Sequence, residues 1–463
     1  MGPPEAMLST ERIQAALRDA TDTKDVVIGP GVLGSVDEVF ERSFGDQPAV
    51  VVADENTLKV AGDEVHQRLG AGGRILLNPY VFPGQPTLHA EYGNITKLAE
   101  WLRTRDAIPV AVASGTLNDI VKRAAHETGR PYLAVATAAS VDGYTSFGAS
   151  ITKGGYKQTL TCPAPRAVLA DLDVLTAAPA IMTASGYGDL LGKIPAGADW
   201  IVADEFGVDP IDPHVWSLVQ GPLREATGRP AELAAGDRQA MEALVEGLMM
   251  SGLAMQVSGS SRPASGAEHY FSHLWELEGL AHGVEGGPPP EHGLKVGFAS
   301  IAMAAFYERL LERDLSTVDI EARRRLWPSW EQVEQKVRAT HHTPGLDRAA
   351  IAQSREKYID ADQLAQRLTL LRERWPVLRE RIQQQLLTAD QLREQLGAAG
   401  CPTSPAELGL SLADLKATYI RARMIRSRYT VLDLAYETGT LNECVDELFA
   451  PGGYWAQDPV GRT

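Results

Sequence analysis

Hydrophobic positions in the first third of the chain alternate between two patterns. Short, nearly continuous apolar runs stand at 25–29 (Asp25-Val26-Val27-Ile28-Gly29), 49–53, 74–77, 108–112 and 132–135. Runs this short, apolar at consecutive positions and mostly rich in β-branched residues, read as strands buried on both faces of a sheet. Between them, 57–69, 92–103 and 120–128 carry apolar residues at three- and four-residue spacing, the stripe of a helix that covers a sheet. Strand–helix–strand alternation predicts a parallel, Rossmann-like sheet with helices on both faces. From 146 to 170 the pattern changes, and Lys153-Gly154-Gly155-Tyr156 reads as a tight turn between two short strands. From 171 onward the strand pattern stops. Helical periods run to about residue 450, broken by Gly/Pro loops such as Gly286-Gly287-Pro288-Pro289-Pro290. The expected organisation is an α/β domain over 1–170 and an all-α domain over 171–463.

Composition narrows the function classes. The 463 residues are 44% hydrophobic and 22% charged, an ordinary balance for a folded protein. With 44 Lys+Arg against 60 Asp+Glu, the net charge of −16 opposes nucleic acid and anionic membranes as partners. The three cysteines, Cys162, Cys401 and Cys444, are far apart and form no CxxC pair, so a disulfide framework is not expected. The N-terminus lacks the basic and apolar regions of a secretory signal. No apolar run approaches the roughly 18 residues of a membrane span. A cytoplasmic location is the expectation. Residues 352–400 are rich in Arg, Glu, Gln and Leu, which predicts a helix with a solvated charged face.

Several segments carry chemistry. Ser114-Gly115-Thr116-Leu117-Asn118-Asp119 leaves a strand and opens a helix. Such a turn lets backbone N–H groups approach a phosphate at a helix N-terminus. It also fits a plain turn capped by Asn118 or Asp119, and it is not a GxGxxG fingerprint. Asp54 follows a strand and suits either a ribose diol or a helix cap. The loop 136–144 leaves another strand and offers Thr137, Ser140 and Asp142. In Gly266-Ala267-Glu268-His269-Tyr270-Phe271-Ser272-His273, two imidazoles at i and i+4 share one helical face. His292 follows in Glu291-His292-Gly293, and Asp189 stands in Gly186-Tyr187-Gly188-Asp189. A carboxylate with two imidazoles suits Zn²⁺ or a neighbouring divalent metal, although spacing alone does not say which histidines bind.

In this order, the segments 114–119, 137–144, 186–193, 266–273 and 292–293 resemble the sn-glycerol-1-phosphate dehydrogenases, especially the longer bacterial type. That family is related to the iron-containing alcohol dehydrogenases and dehydroquinate synthases. The resemblance covers about residues 20–310, with a weaker echo at 425–434. It implies a dehydroquinate synthase-like fold, with Asp189, His269 and His292 as metal ligands for Zn²⁺ or Ni²⁺. Asp142 and His273 would contact the substrate, with Asp189 close to it. Gly115, Thr116, Leu117, Asn118, Asp119, Thr137, Ala138, Ala139, Ser140 and Ser146 would line the site of NAD(H) or NADP(H). Asp54 would meet the adenosine ribose, which favours NAD(H) because a carboxylate repels a 2′-phosphate. A homodimer is common in the family. The stretch 283–290 lengthens the span from His269 to His292, so the loop before His292 is a departure.

The activity implied is reversible reduction of dihydroxyacetone phosphate to sn-glycerol 1-phosphate, the metal acting as Lewis acid on the carbonyl oxygen. His273 would bond a substrate hydroxyl or relay a proton, or else orient the metal site. Lys193, one turn past Asp189 on the same helix, is a candidate for the substrate phosphate. Arg421, Arg423, Arg426 and Arg428 form a second basic cluster, for an anion or for a solvated face or interface. The alternatives are a sugar-phosphate cyclase, a polyol dehydrogenase acting without a phosphate, and a metal-bound scaffold using 330–463 for a partner.

Overall fold

The computed structural model describes residues 9–85, 87–154, 156–285 and 287–457. They gather into two compact units, one drawn from Met1–Leu190 and His214–Ser261, the other from Leu191–Pro213 and Arg262–Thr463.

In the first unit the strands are β1 (Asp25–Gly29), β2 (Ala49–Asp54), β3 (Leu76–Phe82), β4 (Ile108–Ala113), β5 (Leu133–Ala136), β6 (Ala149–Lys153), β7 (Tyr156–Leu160) and β8 (Ala167–Asp171). Six of them form one parallel sheet in the order β1-β8-β5-β4-β2-β3, and β6 pairs with β7 as an antiparallel hairpin. The expected turn of that hairpin includes Gly155, which lies outside the described residues. Val51, Val110, Val112, Leu133, Val135 and Leu169 of the sheet are buried with Val39, Phe40, Val65 and Leu69 of the covering helices. The register Ala113–Ala136 and Val52–Ala111 brings the carboxyl ends of β2, β4 and β5 to one edge. Ligands bind at that edge in sheets of this kind.

Two strands differ from the sequence expectation. β3 begins at Leu76 rather than 74 and continues to Phe82 through Pro79, which is tolerated because β3 is an edge strand. β8 was not expected. Its Ala-Val-Leu-Ala-Asp run is short and alanine-rich, yet it sits fully buried between β1 and β5. The helix expected over 57–69 is broken by a π-helical turn at Leu58–Gly62.

The compact units do not divide at 170/171. Helix Arg238–Ser258 belongs with the sheet, because specific bonds tie it there. Glu246 pairs with Arg12 at 2.5 Å. Gln256 accepts the N–H groups of Asp22 and Thr23 at 3.0 and 3.1 Å. Hydrophobic periodicity marks where strands stop, not which helices pack on them.

The second unit is helical. Its centre includes Asp199 on helix Lys193–Glu205, which is 1% exposed. Asp199 Oδ1 accepts the Tyr307 hydroxyl at 2.7 Å and the Val431 N–H at 2.8 Å, and Oδ2 accepts the Ala267 N–H at 2.7 Å. Three donors offset the cost of burying the acid. Burial first, and then the nearby Glu268, still push its pKa up to about 6. In helix Ala361–Gln385, Leu364, Leu368, Leu371, Trp375, Leu378 and Ile382 are buried, while Arg372, Glu373 and Arg374 are exposed. That is the solvated charged face read from the sequence. No described helix is long and apolar enough to cross a membrane.

Candidate active site

In the first unit, the segments at the carboxyl edge of the sheet are held by short backbone approaches. Gly115 opens helix Gly115–Glu127, and a Cβ there would lie 3.0 Å from Val141 Cγ2. Ser114 precedes this helix in extended conformation, and its side chain makes no capping bond. The first N–H groups of the helix therefore lack a side-chain cap from Ser114, which suits an anion site. Thr116 is exposed, and Leu117 and Asn118 are buried. Asn118 Oδ1 accepts the Tyr132 hydroxyl at 3.1 Å. Asp119 Oδ2 accepts the Ser150 N–H at 2.9 Å, which ties this helix to β6.

Thr137, Ala138, Ala139, Ser140 and Ser146 are buried in the loop after β5. Tyr144 donates its hydroxyl to the Ala113 or Ala138 carbonyl, both at 3.0 Å, and so joins the ends of β4 and β5. Lys122, wholly buried, bonds the carbonyls of Gly143, Ser146 and Gly148 at 2.8, 2.9 and 3.1 Å. Its ammonium thus shapes the loop that carries Asp142. Nothing in the pattern around Lys122 marks it, since it occupies an ordinary helix position.

Helix Ala180–Leu191 runs against this loop. A Cβ at Gly186 would lie 1.9 Å from the Ala139 carbonyl oxygen, so only glycine permits the approach. One turn on, Asp189 is 1% exposed, and its Oδ2 accepts the Asp142 N–H at 3.0 Å. Asp142 Oδ2 in turn accepts the Ser251 hydroxyl at 2.9 Å. Asp142 and Asp189 are therefore brought together as expected. Asp54 caps the helix that follows it, its Oδ1 accepting the Asn56 and Thr57 N–H groups at 2.8 Å each. The capping role allowed by the sequence is thus filled. Lys193 does not share a helix with Asp189: the helix is interrupted at Gly192, and Lys193 starts the next one, fully buried.

In the second unit, three histidines converge. His269 and His273 lie on helix Ala267–Glu278, and His292 is the first residue of helix His292–Leu311. The ring centroids are 5.9 Å apart for His269–His273, 5.5 Å for His269–His292 and 5.7 Å for His273–His292, the last pair stacked at 19°. The long loop before His292 does not displace it. Gly283 donates its N–H to the Leu408 carbonyl at 3.0 Å, which pins the loop near its start. Gly286 of that loop lies outside the described residues.

Two imidazoles are oriented by acids that sequence reasoning did not single out. His269 Nδ1 lies 2.8 Å from Glu268 Oε1, which also accepts the Gly266 N–H at 2.6 Å. His292 Nδ1 lies 3.1 Å from Glu276 Oε1, which pairs with Lys295 at 2.8 Å. A carboxylate on Nδ1 places the proton there and makes Nε2 the lone-pair nitrogen, the form a metal ligand takes. The Glu-His dipeptide at 268–269 was visible in the sequence, whereas Glu276 reaches His292 only through folding. Asp189, the third expected ligand, supplies a hard carboxylate oxygen, so the donor set fits a divalent cation. His273 is different. Desolvation of this partly buried ring first, then Arg426 and His292, push its pKa well below the usual histidine range, which disfavours the imidazolium.

The chain is 39% identical over 268 residues to a glycerol-1-phosphate dehydrogenase of Halalkalibacterium halodurans, a match covering 58% of this chain and 66% of that one. It is 35% identical over 309 residues to a protein of the same name from Bacillus velezensis, covering 66% of this chain and 77% of that one. The chain belongs to the glycerol-1-phosphate dehydrogenase family. It is accordingly an oxidoreductase. A family model described as iron-containing alcohol dehydrogenase matches residues 27–179. The fold is similar to that of a probable glycerol dehydrogenase from Sinorhizobium meliloti, with a TM-score of 0.58 and 16% identity, over 92% of this chain and 98% of that one.

Proposed function

We propose that this chain interconverts dihydroxyacetone phosphate and sn-glycerol 1-phosphate, with NAD(P)H as the hydride source and a divalent metal in the site. The observation that carries the reading is the pair His269 and His292, each with Nδ1 on a carboxylate, in a family whose named members are glycerol-1-phosphate dehydrogenases. Asp189, His269 and His292 would hold the metal, and one carboxylate with two imidazoles suits zinc or nickel. When bound, the cation supplies Lewis-acid stabilisation of negative charge on the ketone oxygen, and the reduced nicotinamide supplies the hydride.

The protein's own residues do the rest. The start of helix Gly115–Glu127 and the loop 137–140 receive the dinucleotide, with backbone N–H groups toward its phosphates. Asp54 Oδ1 is engaged in the helix cap, and the carboxylate as a whole disfavours a 2′-phosphate, so NAD(H) is the better cofactor. Asp142 accepts a substrate hydroxyl while Ser251 and the Asp189 contact fix its orientation. His273 bonds the substrate or relays the proton that reduction requires. A cytoplasmic location and a homodimer complete the reading.

The test is direct. Metal-stripped protein is reloaded separately with zinc and nickel, given dihydroxyacetone phosphate with NADH or NADPH, and nicotinamide oxidation is followed. Stoichiometric oxidation, yielding a product inert to an sn-glycerol-3-phosphate dehydrogenase, supports the proposal. No oxidation with either cofactor refutes it, and turnover without net oxidation assigns a cyclase instead. Asp189→Asn should lose metal and rate together.

A further inference from the structure

We propose that Arg426 holds the phosphate of the substrate and so sets the preference for a phosphorylated ketone. The inference rests on the reading of the substrate given above. The basic cluster 421–428 separates into distinct roles. Arg421 pairs with Glu278. Arg423 reaches Asp433 at 3.4 Å and lies 3.8 Å from the centre of the Tyr436 ring. Arg428 donates to the Ser265 carbonyl at 2.7 Å. Arg426 is different: among the described residues no carboxylate lies within ion-pair distance of it. Its contacts are the Ile425 carbonyl at 3.2 Å and His273 Nδ1 at 3.4 Å, both long.

A guanidinium has five N–H donors, and these two contacts leave most of them unused. Arg426 is half-buried, and none of its nitrogens is sealed away without a partner. Taking a cation partly out of water without an anion is unfavourable. The imidazole it touches offers a ring nitrogen and no negative charge, so it does not compensate the guanidinium. The position is therefore suited to a charge that arrives with a ligand.

Its placement identifies the ligand. His273 stacks on His292, so Arg426, His273 and His292 form one continuous polar wall. A three-carbon ketone with its carbonyl near His269 and His292 carries its phosphate three bonds away, on the side where a group beside His273 meets it. The planar fork of arginine matches phosphate oxygens two at a time. The other cations are less suited. Lys295 is paired with Glu276 at 2.8 Å, and Lys193 is fully buried.

The experiment compares wild type with Arg426→Ala and Arg426→Gln, both zinc-loaded, on dihydroxyacetone phosphate and on unphosphorylated dihydroxyacetone. Loss of a bidentate charged contact should lower kcat/KM for the phosphorylated ketone roughly 100-fold, mainly through KM. Turnover of dihydroxyacetone should stay within about threefold of wild type, which a general loss of structure would not allow. Titration calorimetry of inorganic phosphate into metal-free protein supplies a readout independent of turnover, and binding should vanish in both variants. Unchanged KM for the phosphorylated ketone and retained phosphate binding in either folded variant overturn the assignment. An equal loss on both ketones also overturns it. If wild type fails to reduce dihydroxyacetone phosphate at all, the failure lies in the proposed function and not in Arg426.

Discussion

Gly186 has no room for a single added methyl group. Helix Ala180–Leu191 passes so close to the loop after β5 that an alanine Cβ at 186 would lie 1.9 Å from the Ala139 carbonyl oxygen and 2.8 Å from its carbonyl carbon. An ordinary C···O approach is about 3.3 Å, so helix and loop must separate by about 1.4 Å. Both obstructing atoms are backbone, so no rotamer change relieves the clash. Overpacking of this kind costs about 1–3 kcal/mol. The functional cost is larger, because the same helix carries Asp189 one turn later and the same loop carries Asp142, joined at 3.0 Å. A displacement of about 1 Å at a reacting site lowers rates by about 100-fold. Gly186→Ala should therefore lower the apparent Tm and reduce kcat/KM by about two orders of magnitude, measured with saturating metal. Gly93→Ala, at an exposed helical position with nothing within 4 Å of the new Cβ, is the control and should be neutral or slightly stabilising. Wild-type activity and Tm in Gly186→Ala would refute the close-approach reasoning.

Two other outcomes follow from buried charge. Lys122→Met removes an ammonium bonded to three loop carbonyls, leaves those acceptors in an apolar setting, and should destabilise by about 3–5 kcal/mol in denaturant unfolding; a loss below 1 kcal/mol would refute the role given to Lys122. Asp199, raised to about 6 by burial and by Glu268, binds its proton more tightly folded than unfolded. Its contribution is complete below its unfolded pKa of about 3.9 and is lost as pH rises toward 6. Relative to Asp199→Asn, wild type should thus lose Tm across that window and show no further change above it. A pH-independent difference would refute the raised pKa.

Much of this was legible because the relevant signals are local. The strands at 49–53, 108–112 and 132–135 announce themselves as buried apolar runs, the one at 25–29 as a Val/Ile run that folding places at the sheet edge, mostly half-buried, and the i, i+4 spacing of His269 and His273 fixes their common face before any folding is known. What escaped depends on distant packing. β8 is alanine-rich and gains its strand identity from β1 and β5 on either side. Helix Arg238–Ser258 looks like any other helix until Glu246 and Gln256 find Arg12 and Thr23. Glu276 becomes a support for His292 only because two helices separated by a long loop come together. The basic run 421–428 reads as one cluster, although folding gives Arg421, Arg423 and Arg428 separate partners and leaves Arg426 with no carboxylate among the described residues.

Asp199 sets the order in which the helical unit can be finished. Its three donors arrive from residues 267, 307 and 431, so during synthesis this acid is fully satisfied only after Val431 has emerged. A nascent chain stalled before Val431 carries a buried acid short of one bond and a bundle that cannot close. Such a chain is a natural client for chaperones and a target for proteases. Frameshifts and stop codons upstream of that position should accordingly eliminate the protein rather than leave a shortened form in circulation.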